Sequence, residues 1–232
     1  MKAIILAAGK GTRLYPLTLN KPKGLLELGN ETILDRLICQ FKSLGIKDIL
    51  MVVGYQKESL IKHFGSSVRF IYYKDFAKTN NLHTLWSIRD ELNDNIIISF
   101  ADLVVDKQIF DALLQSKDEI TMVVDTSKVL DGTMRVSVSN ERITSITSTS
   151  IKEANGNFIG LAKISKSGCK VLYDEMSNIV RSHFNDYYTI AIDNLVRKGG
   201  KVGCCDVKEC IWREIDTKDD YDELVSIYNR FS

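Results

Sequence analysis

Proline and histidine are scarce in this sequence, with two prolines and three histidines among 232 residues. Both prolines, Pro16 and Pro22, fall in one loop, so no Pro-rich linker divides the chain, and a single domain over 1–232 is expected. The histidines, at 63, 83 and 183, do not pair at ligand spacing, and the five cysteines (39, 169, 204, 205, 210) form an odd set without Cys-x-x-Cys. A zinc finger and a disulfide framework are thereby excluded, and reduced, partly buried thiols are expected. Long apolar runs are missing as well. The longest, 3–8 and 49–53, are strand-sized, against the roughly 20 residues a membrane helix needs. With no signal-peptide pattern after Met1-Lys2, a cytoplasmic protein without a membrane partner is expected. Charge of one sign is lacking too: Lys plus Arg number 31 and Asp plus Glu 30, a net charge of +1. Nucleic-acid-binding domains carry a marked basic excess, so no nucleic-acid partner is expected. The balance still permits a small anionic ligand held by two or three local cations.

What is present is 44% hydrophobic and 26% charged, the proportions of a globular chain that can build a sizeable core. Residues 2–8 read KAIILAA, a continuous apolar run of the kind found in strands buried on both faces of a parallel sheet. From Glu31 the apolar positions Ile33, Leu34, Leu37, Ile38, Phe41 and Leu44 keep helical spacing and stop at Gly45. Strand-like runs at 49–53, 68–73 and 96–100 then alternate with helical spacing over 57–64 and 82–92. That alternation predicts an α/β fold with a mixed, mostly parallel sheet flanked by helices. Beyond Glu119 inserted short strands are expected at 122–125, 134–138, 142–147 and 158–164. Helices over 170–176 and 189–197, strands near 202–207 and 211–215, and a last helix over 218–231 complete the expectation.

The most informative segment is Leu6-Ala7-Ala8-Gly9-Lys10-Gly11-Thr12-Arg13-Leu14. A buried strand enters a Gly-x-Gly turn and at once presents Thr12 and Arg13. Glycines permit positive φ, and without side chains they let backbone N–H groups close around phosphate oxygens. A dinucleotide fingerprint would need glycine at position 14, which is Leu, and the Walker A spacing is also wrong. Pro22-Lys23-Gly24 follows and places a second cation beyond the loop. Arg13 and Lys23 suit a triphosphate. Lys10 and Lys21 read as solvated surface charge.

This pattern resembles the nucleotidyltransferases that activate sugar phosphates and small phosphorylated alcohols, which carry a strand, L-A-A-G-x-G-T/S-R-L and then P-K. The resemblance implies a Rossmann-like fold, with a phosphate attacking the α-phosphorus of a nucleoside triphosphate and pyrophosphate leaving. It implies nucleotide-binding roles for Leu6, Ala8, Gly9, Gly11, Thr12 and Arg13, and catalytic roles for Arg13 and Lys23.

Ile96–Phe100 leads into Asp102, a carboxylate at the carboxyl edge of a central strand, where open α/β sheets bind ligands. In Trp212-Arg213-Glu214-Ile215-Asp216-Thr217, a strand conformation points Glu214 and Asp216 to one face. Hard carboxylates from distant parts of the chain suit Mg²⁺, and the resemblance places the metal on Asp102 and Asp216. The competing roles are a loop cap for Asp102 and the N-cap of the last helix for Asp216.

Asn80-Asn81-Leu82-His83-Thr84-Leu85 stands where sugar-phosphate members carry a Gly-rich stretch. It resembles the cytidylyltransferases acting on phosphocholine, aminoethylphosphonate or phosphoglutamine. Asn80 and Asn81 then contact the nucleotide or, alternatively, cap the helix that follows. The partners so implied are CTP and a small phosphorylated or phosphonate acceptor. The acceptor side is assigned to Lys163, Tyr188, Glu214 and Trp212, with Tyr187, Trp86, Asp193 and Asn194 as further aromatic and polar candidates; core packing competes for each aromatic. A sugar-1-phosphate enzyme using UTP or dTTP and a non-catalytic nucleotide-binding module are the rival readings.

Overall fold

The computed structural model describes residues 1–130, 132–147 and 154–231. Strand β1 (Lys2–Ala7) is buried along its whole length and runs parallel to β4 (Asp48–Val53) on one side and β6 (Ile96–Phe100) on the other. Two-residue alternation sends Ile4 and Leu6 to one face, and Ala3, Ile5 and Ala7 to the other. Each face has its own helical cover. The first is packed by α3 (Asn81–Ser87), α5 (Lys166–Ile179) and α6 (Thr189–Arg197) through Leu82, Leu85, Leu172, Met176 and Ile192. The second is packed by α1 (Ile33–Ser43), α2 (Lys57–Phe64) and α4 (Lys107–Gln115) through Leu34, Phe41, Leu60, Ile109 and Phe110. Each such side chain withdrawn from water contributes roughly 1.5–3 kcal/mol, so apolar burial on both faces of the sheet holds the three layers together.

Helix α1 begins where its sequence says it should. Thr32 caps it by accepting from the Asp35 N–H, and the Asp35 carboxylate accepts from the Thr32 N–H in return, a reciprocal capping box. The remaining strands are β2 (Glu27–Leu28), β3 (Glu31–Thr32), β5 (Arg69–Tyr72), β7 (Leu103–Val105), β8 (Ile120–Asp125), β9 (Met134–Ser139), β10 (Arg142–Thr147), β11 (Gly156–Ile164), β12 (Gly203–Asp206) and β13 (Trp212–Glu214). The main sheet has nine strands in the order β5-β4-β1-β6-β11-β8-β12-β10-β9.

The expected mostly parallel sheet describes only part of this. Strands β5, β4, β1 and β6 are mutually parallel, as their helical crossovers require. From β11 onward the neighbours are antiparallel except for β8 with β12, so the whole sheet is mixed. The reason lies in the connections: β9 and β10 are joined by the short turn at Asn140-Glu141, which is too short to cross over.

Outside the sequence expectation lie the β2–β3 hairpin, β7 and α4, and α5 spans Lys166–Ile179 rather than 170–176. The helical spacing over 82–92 splits into α3 and a 3-10 turn at Arg89–Glu91, and the last helix, α7 (Lys218–Ile227), ends in a 3-10 turn at Tyr228–Arg230. Among the described residues no helix is long and apolar enough to cross a membrane.

Candidate active site

The parallel strands point their carboxyl ends at one edge, and there the chain leaves β1 through Ala8 and Gly9. Gly11 takes a left-handed conformation (φ +60°) and opens a 3-10 turn, Thr12–Leu14, whose Leu14 is fully buried. The loop is fastened on both sides. Thr18 Oγ1 donates to the Gly11 carbonyl at 2.7 Å, and the Tyr55 hydroxyl contacts the Thr18 and Leu19 carbonyls at 3.1 and 2.6 Å. The Tyr55 N–H, beyond the end of β4, donates to the Ala8 carbonyl at 3.1 Å.

A second 3-10 turn, Lys23–Leu25, follows Pro22 and lies against Leu34 of α1 and the Ala101 carbonyl just past β6. Only glycine fits at position 24. A Cβ there would meet Leu34 Cδ1 at 2.4 Å and the Ala101 carbonyl at 2.9 Å. That close approach sets the Lys23 ammonium beside the carboxylate after β6: Nζ lies 2.5 Å from Asp102 Oδ2 and 2.8 Å from Asp216 Oδ1. Arg13 Nη2 reaches Asp216 Oδ1 at 2.9 Å.

Asp216 and Glu214 come from the far end of the chain on a short antiparallel ribbon. β13 pairs with β7, with Glu214 opposite Leu103, and the Ile215 N–H donates to the Asp102 carbonyl at 3.1 Å. One oxygen each from Asp102, Glu214 and Asp216 lies within 4.8 Å of the others, the one such carboxylate cluster among the described residues. Helix α7 is capped by Thr217, which accepts from the Asp220 N–H, so the N-cap role considered for Asp216 belongs to its neighbour. Asp102 is no loop cap either: its Oδ1 is buried and has no hydrogen-bond partner.

Burial would depress the Lys23 ammonium, yet the Asp102 and Asp216 charges outweigh it and hold its pKa above the ordinary lysine value. Glu214 moves the same way for other reasons: burial first, then repulsion from Asp102 and Asp216, raise its carboxyl well above the usual range. Three crowded carboxylates against two cations, with a buried oxygen unpartnered, are a donor set fitted to a hard divalent cation. Oxygen-only chemistry fits Mg²⁺ rather than a soft metal.

The loop, the cations and the cluster line one cavity of about 300 Å³, together with Leu6, Ala8, Gly9, Thr12, Asn80 and Asn81. The asparagines are bound into the frame as well as facing the cavity. Asn80 caps α3, its Oδ1 accepting from the Asn81 N–H at 2.8 Å, and its Nδ2 donates to the Asn185 carbonyl at 3.2 Å. Asn81 Oδ1 accepts from the Tyr188 N–H at 2.7 Å.

Three residues assigned to the acceptor side do not line this cavity. Lys163 sits near the far end of β11, opposite Ile97 and Thr121, and donates to the Leu114 and Ser116 carbonyls. Tyr188 is fully buried, packed edge-on between Phe100 and Phe158. Trp212 is buried with Nε1 donating to Asp125 Oδ2 at 2.9 Å. Among the further candidates, Trp86 stacks on Tyr173, and Asp193 is buried, accepting from the Ile146 N–H at 2.7 Å. Tyr187 alone of the named aromatics lines the cavity. Phe100, Thr79, Thr84 and Phe76 also line it, outside the motifs that mark the site in the sequence. Phe100 carries a signal, as the last residue of a central strand two positions before Asp102; the others carry none. The cysteines are free thiols, and burial pushes Cys169 and Cys204 up to about 12 and Cys205 to about 11, far from nucleophilic.

The relatives of this chain agree in kind. The CTP:phosphoglutamine cytidylyltransferase of Campylobacter jejuni is 38% identical over 135 residues, 55% of this chain and 53% of that one. The UTP–glucose-1-phosphate uridylyltransferase of Haloferax volcanii is 32% identical over 122 residues, 51% of this chain and 50% of that one. The matched region thus spans about half the length of these curated relatives. Among solved structures, a CTP:phosphocholine cytidylyltransferase from Streptococcus pneumoniae superposes with a TM-score of 0.84 at 26% identity, covering 98% of each chain. The sequence model described as "Nucleotidyl transferase" matches residues 2–133, more than half of the chain, and the chain therefore belongs to the nucleotidyl transferase family.

Proposed function

We propose that this protein is a cytidylyltransferase, transferring CMP from CTP to the phosphate or phosphonate of a small non-sugar acceptor and releasing pyrophosphate. One observation carries the proposal: the Gly9–Gly11 turn, Arg13, Lys23 and the Asp102–Glu214–Asp216 cluster converge on a single cavity at the carboxyl edge of the sheet. In this reading residues 1–232 act as one catalytic unit in the cytoplasm. The Asn80-Asn81 pair at the cavity and the CTP-using relatives support the choice of nucleotide.

The acceptor brings its own anionic nucleophile, so the protein supplies position and charge rather than a covalent intermediate. An acceptor oxygen bonds to the α-phosphorus as the bond from that phosphorus to the bridging oxygen breaks, and pyrophosphate leaves with the electron pair. Backbone amides around Gly9 and Gly11 cradle phosphate oxygens. Arg13 and Lys23 stabilise the charge that builds on the α-phosphate and the leaving group. Asp102 and Asp216, with Glu214 behind them, would hold Mg²⁺, which when bound supplies Lewis-acid polarisation of the phosphate. Asn80 and Asn81 fix the edge of α3 against which the nucleotide lies.

Pyrophosphate release by the purified chain with Mg²⁺, crossing four triphosphates with phosphocholine, phosphoethanolamine, aminoethylphosphonate, phosphoglutamine and glucose-1-phosphate, tests this reading. CTP with a non-sugar acceptor is the expected pair. The uridylyltransferase relative favours a second reading, and turnover of UTP or dTTP with glucose-1-phosphate would establish that one instead.

A further inference from the structure

The glycines after β1 free the amides of the loop but do not aim them; what aims them lies behind the loop. Gly11 is left-handed at φ +60°, and its carbonyl is taken twice, by the Leu14 N–H at 3.0 Å and by Thr18 Oγ1 at 2.7 Å. A trans peptide sets its carbonyl and the following N–H on opposite sides of one plane. Fixing the Gly11 oxygen on Thr18 therefore turns the Thr12 N–H away from Thr18. Gly11 and Thr12 line the main cavity and Thr18 does not, so the N–H is turned to the cavity side. Among the described residues no protein acceptor takes it.

Thr18 is itself held. It is fully buried, and the Tyr55 hydroxyl donates to the Leu19 carbonyl at 2.6 Å and reaches the Thr18 carbonyl at 3.1 Å. The backbone of Tyr55 is tied at the other end of the loop, its N–H donating to the Ala8 carbonyl at 3.1 Å. Glycine at position 54 permits that approach, since a Cβ there would meet the Ala8 carbonyl at 2.6 Å. One residue at the exit of β4 thus grips both limbs of the loop, and the contacts run Ala8, Tyr55, Thr18, Gly11. Tyr55, like Thr18, lies outside the cavity lining.

On the reading above, in which this loop holds the triphosphate, we propose that Thr18 and Tyr55 are positioning residues that keep the Thr12 N–H turned to the phosphates of the nucleotide. Thr18 sets the plane of the Gly11–Thr12 peptide, and Tyr55 sets Thr18. Neither touches the nucleotide; both act on its affinity through that one peptide. An N–H already aimed at an oxyanion needs no reorganisation when the phosphate arrives. The pair takes no part in the bond changes, which remain those of cytidylyl transfer.

Calorimetric titration of the full chain with CTP and with UTP in Mg²⁺ tests the pair, on the wild type, Thr18→Val, Thr18→Ser and Tyr55→Phe. Thr18→Val keeps the shape and removes the hydroxyl, so its Kd for CTP should rise about tenfold or more, the scale of one hydrogen bond to a charged group. Thr18→Ser keeps the hydroxyl and should stay within about twofold of the wild type, while Tyr55→Phe should lose about threefold. Affinity for UTP should fall by the same factors, because the effect is on the phosphates. In pyrophosphate-release assays KM for CTP should rise with Kd while KM for the acceptor holds. Unchanged CTP affinity in a folded Thr18→Val, or an equal rise in both KM values, would overturn the pair. If Thr18→Val does not fold, unchanged affinity in Tyr55→Phe, whose half-buried ring remains, overturns it alone. A wild type that prefers UTP would overturn cytidylyl transfer and leave the pair standing; one that binds no triphosphate would overturn both.

Discussion

Lys23 and Asp102 touch at 2.5 Å, yet removing one or the other should affect stability differently. Replacing Lys23 with alanine leaves Asp102, Glu214 and Asp216 crowded together with Arg13 as the remaining cation of the pair. Breaking a mostly buried pair from that side costs about 3 kcal/mol. A divalent cation can replace the lost charge, so Mg²⁺ should raise the melting temperature of Lys23→Ala more than that of the wild type. Asp102→Asn instead relieves repulsion and should leave stability unchanged or raised, while turnover falls at least ~100-fold. Thermal melts with and without Mg²⁺, beside pyrophosphate-release rates, check both; an Asp102→Asn enzyme of near-wild-type rate would remove the carboxylate from the proposed metal site. Gly24 belongs to the same argument. Its alanine variant must displace Leu34 or the Ala101 carbonyl, costing about 1–3 kcal/mol and moving Lys23 from Asp102. At this scale the sequence is legible where chemistry is local, as in 6–14, where strand, glycines and cation are contiguous. It is silent on Tyr187 against Tyr188. They are adjacent aromatics at the start of a helix, and only the packing of Phe100 and Phe158 decides which is core and which is wall.

The carboxylate cluster depends on an element that the sequence hides. Asp102 looks like the end of a strand, but Leu103–Val105 resumes as β7 and takes β13 as its partner, which joins residues more than a hundred positions apart. Three residues on each side are too few to register as periodicity, and pairing partners are not encoded locally. Lys163 shows the same limit from the other side. Its strand, β11, shifts register between Phe158 and Ala162 at the left-handed Gly160, which lies against the Phe100 ring. Because β11 runs antiparallel to β6 and sets Lys163 opposite Ile97, the lysine lies near the edge remote from the site. The ribbon is held by a small third core in which Val104 and Ile215 meet Leu14, Leu26, Ile33 and Leu224 of α7. Leu224 is fully buried there. Leu224→Ala should cost about 2–4 kcal/mol and should loosen Glu214 and Asp216 more than Asp102, since β6 remains in the main sheet. The expected outcome is a lowered melting temperature with a raised Mg²⁺ requirement for pyrophosphate release; an unchanged Mg²⁺ requirement would mean that the ribbon holds without α7.

Across the whole molecule, a second ion cluster stands at the edge of the sheet opposite the candidate site. Strands β1, β4, β5 and β6 begin at the edge away from the cavity. At that edge Lys2 Nζ reaches Glu91 Oε2 at 2.5 Å, Arg69 bridges Asp48 and Glu91 at 2.9 Å each, and the amino terminus reaches Asp94 at 3.0 Å. Hydrogen bonds from Arg69 and then Lys2 pull the Glu91 carboxyl down to about 2, against an ordinary glutamate near 4.5. Because the folded state holds this proton less tightly than the unfolded chain, the stabilisation is complete above about pH 4.5 and disappears as pH falls toward 2. Glu91→Gln removes the effect, so its deficit should be about 1 kcal/mol at pH 7, the scale of partly exposed ion pairs, and should vanish near pH 2. Urea unfolding of both proteins at the two pH values measures the difference. Since Glu91 stands at the amino ends of strands whose carboxyl ends carry the site, kcat at pH 7 should not move. A variant that lost turnover in proportion to stability would mean that the two edges are coupled through the sheet.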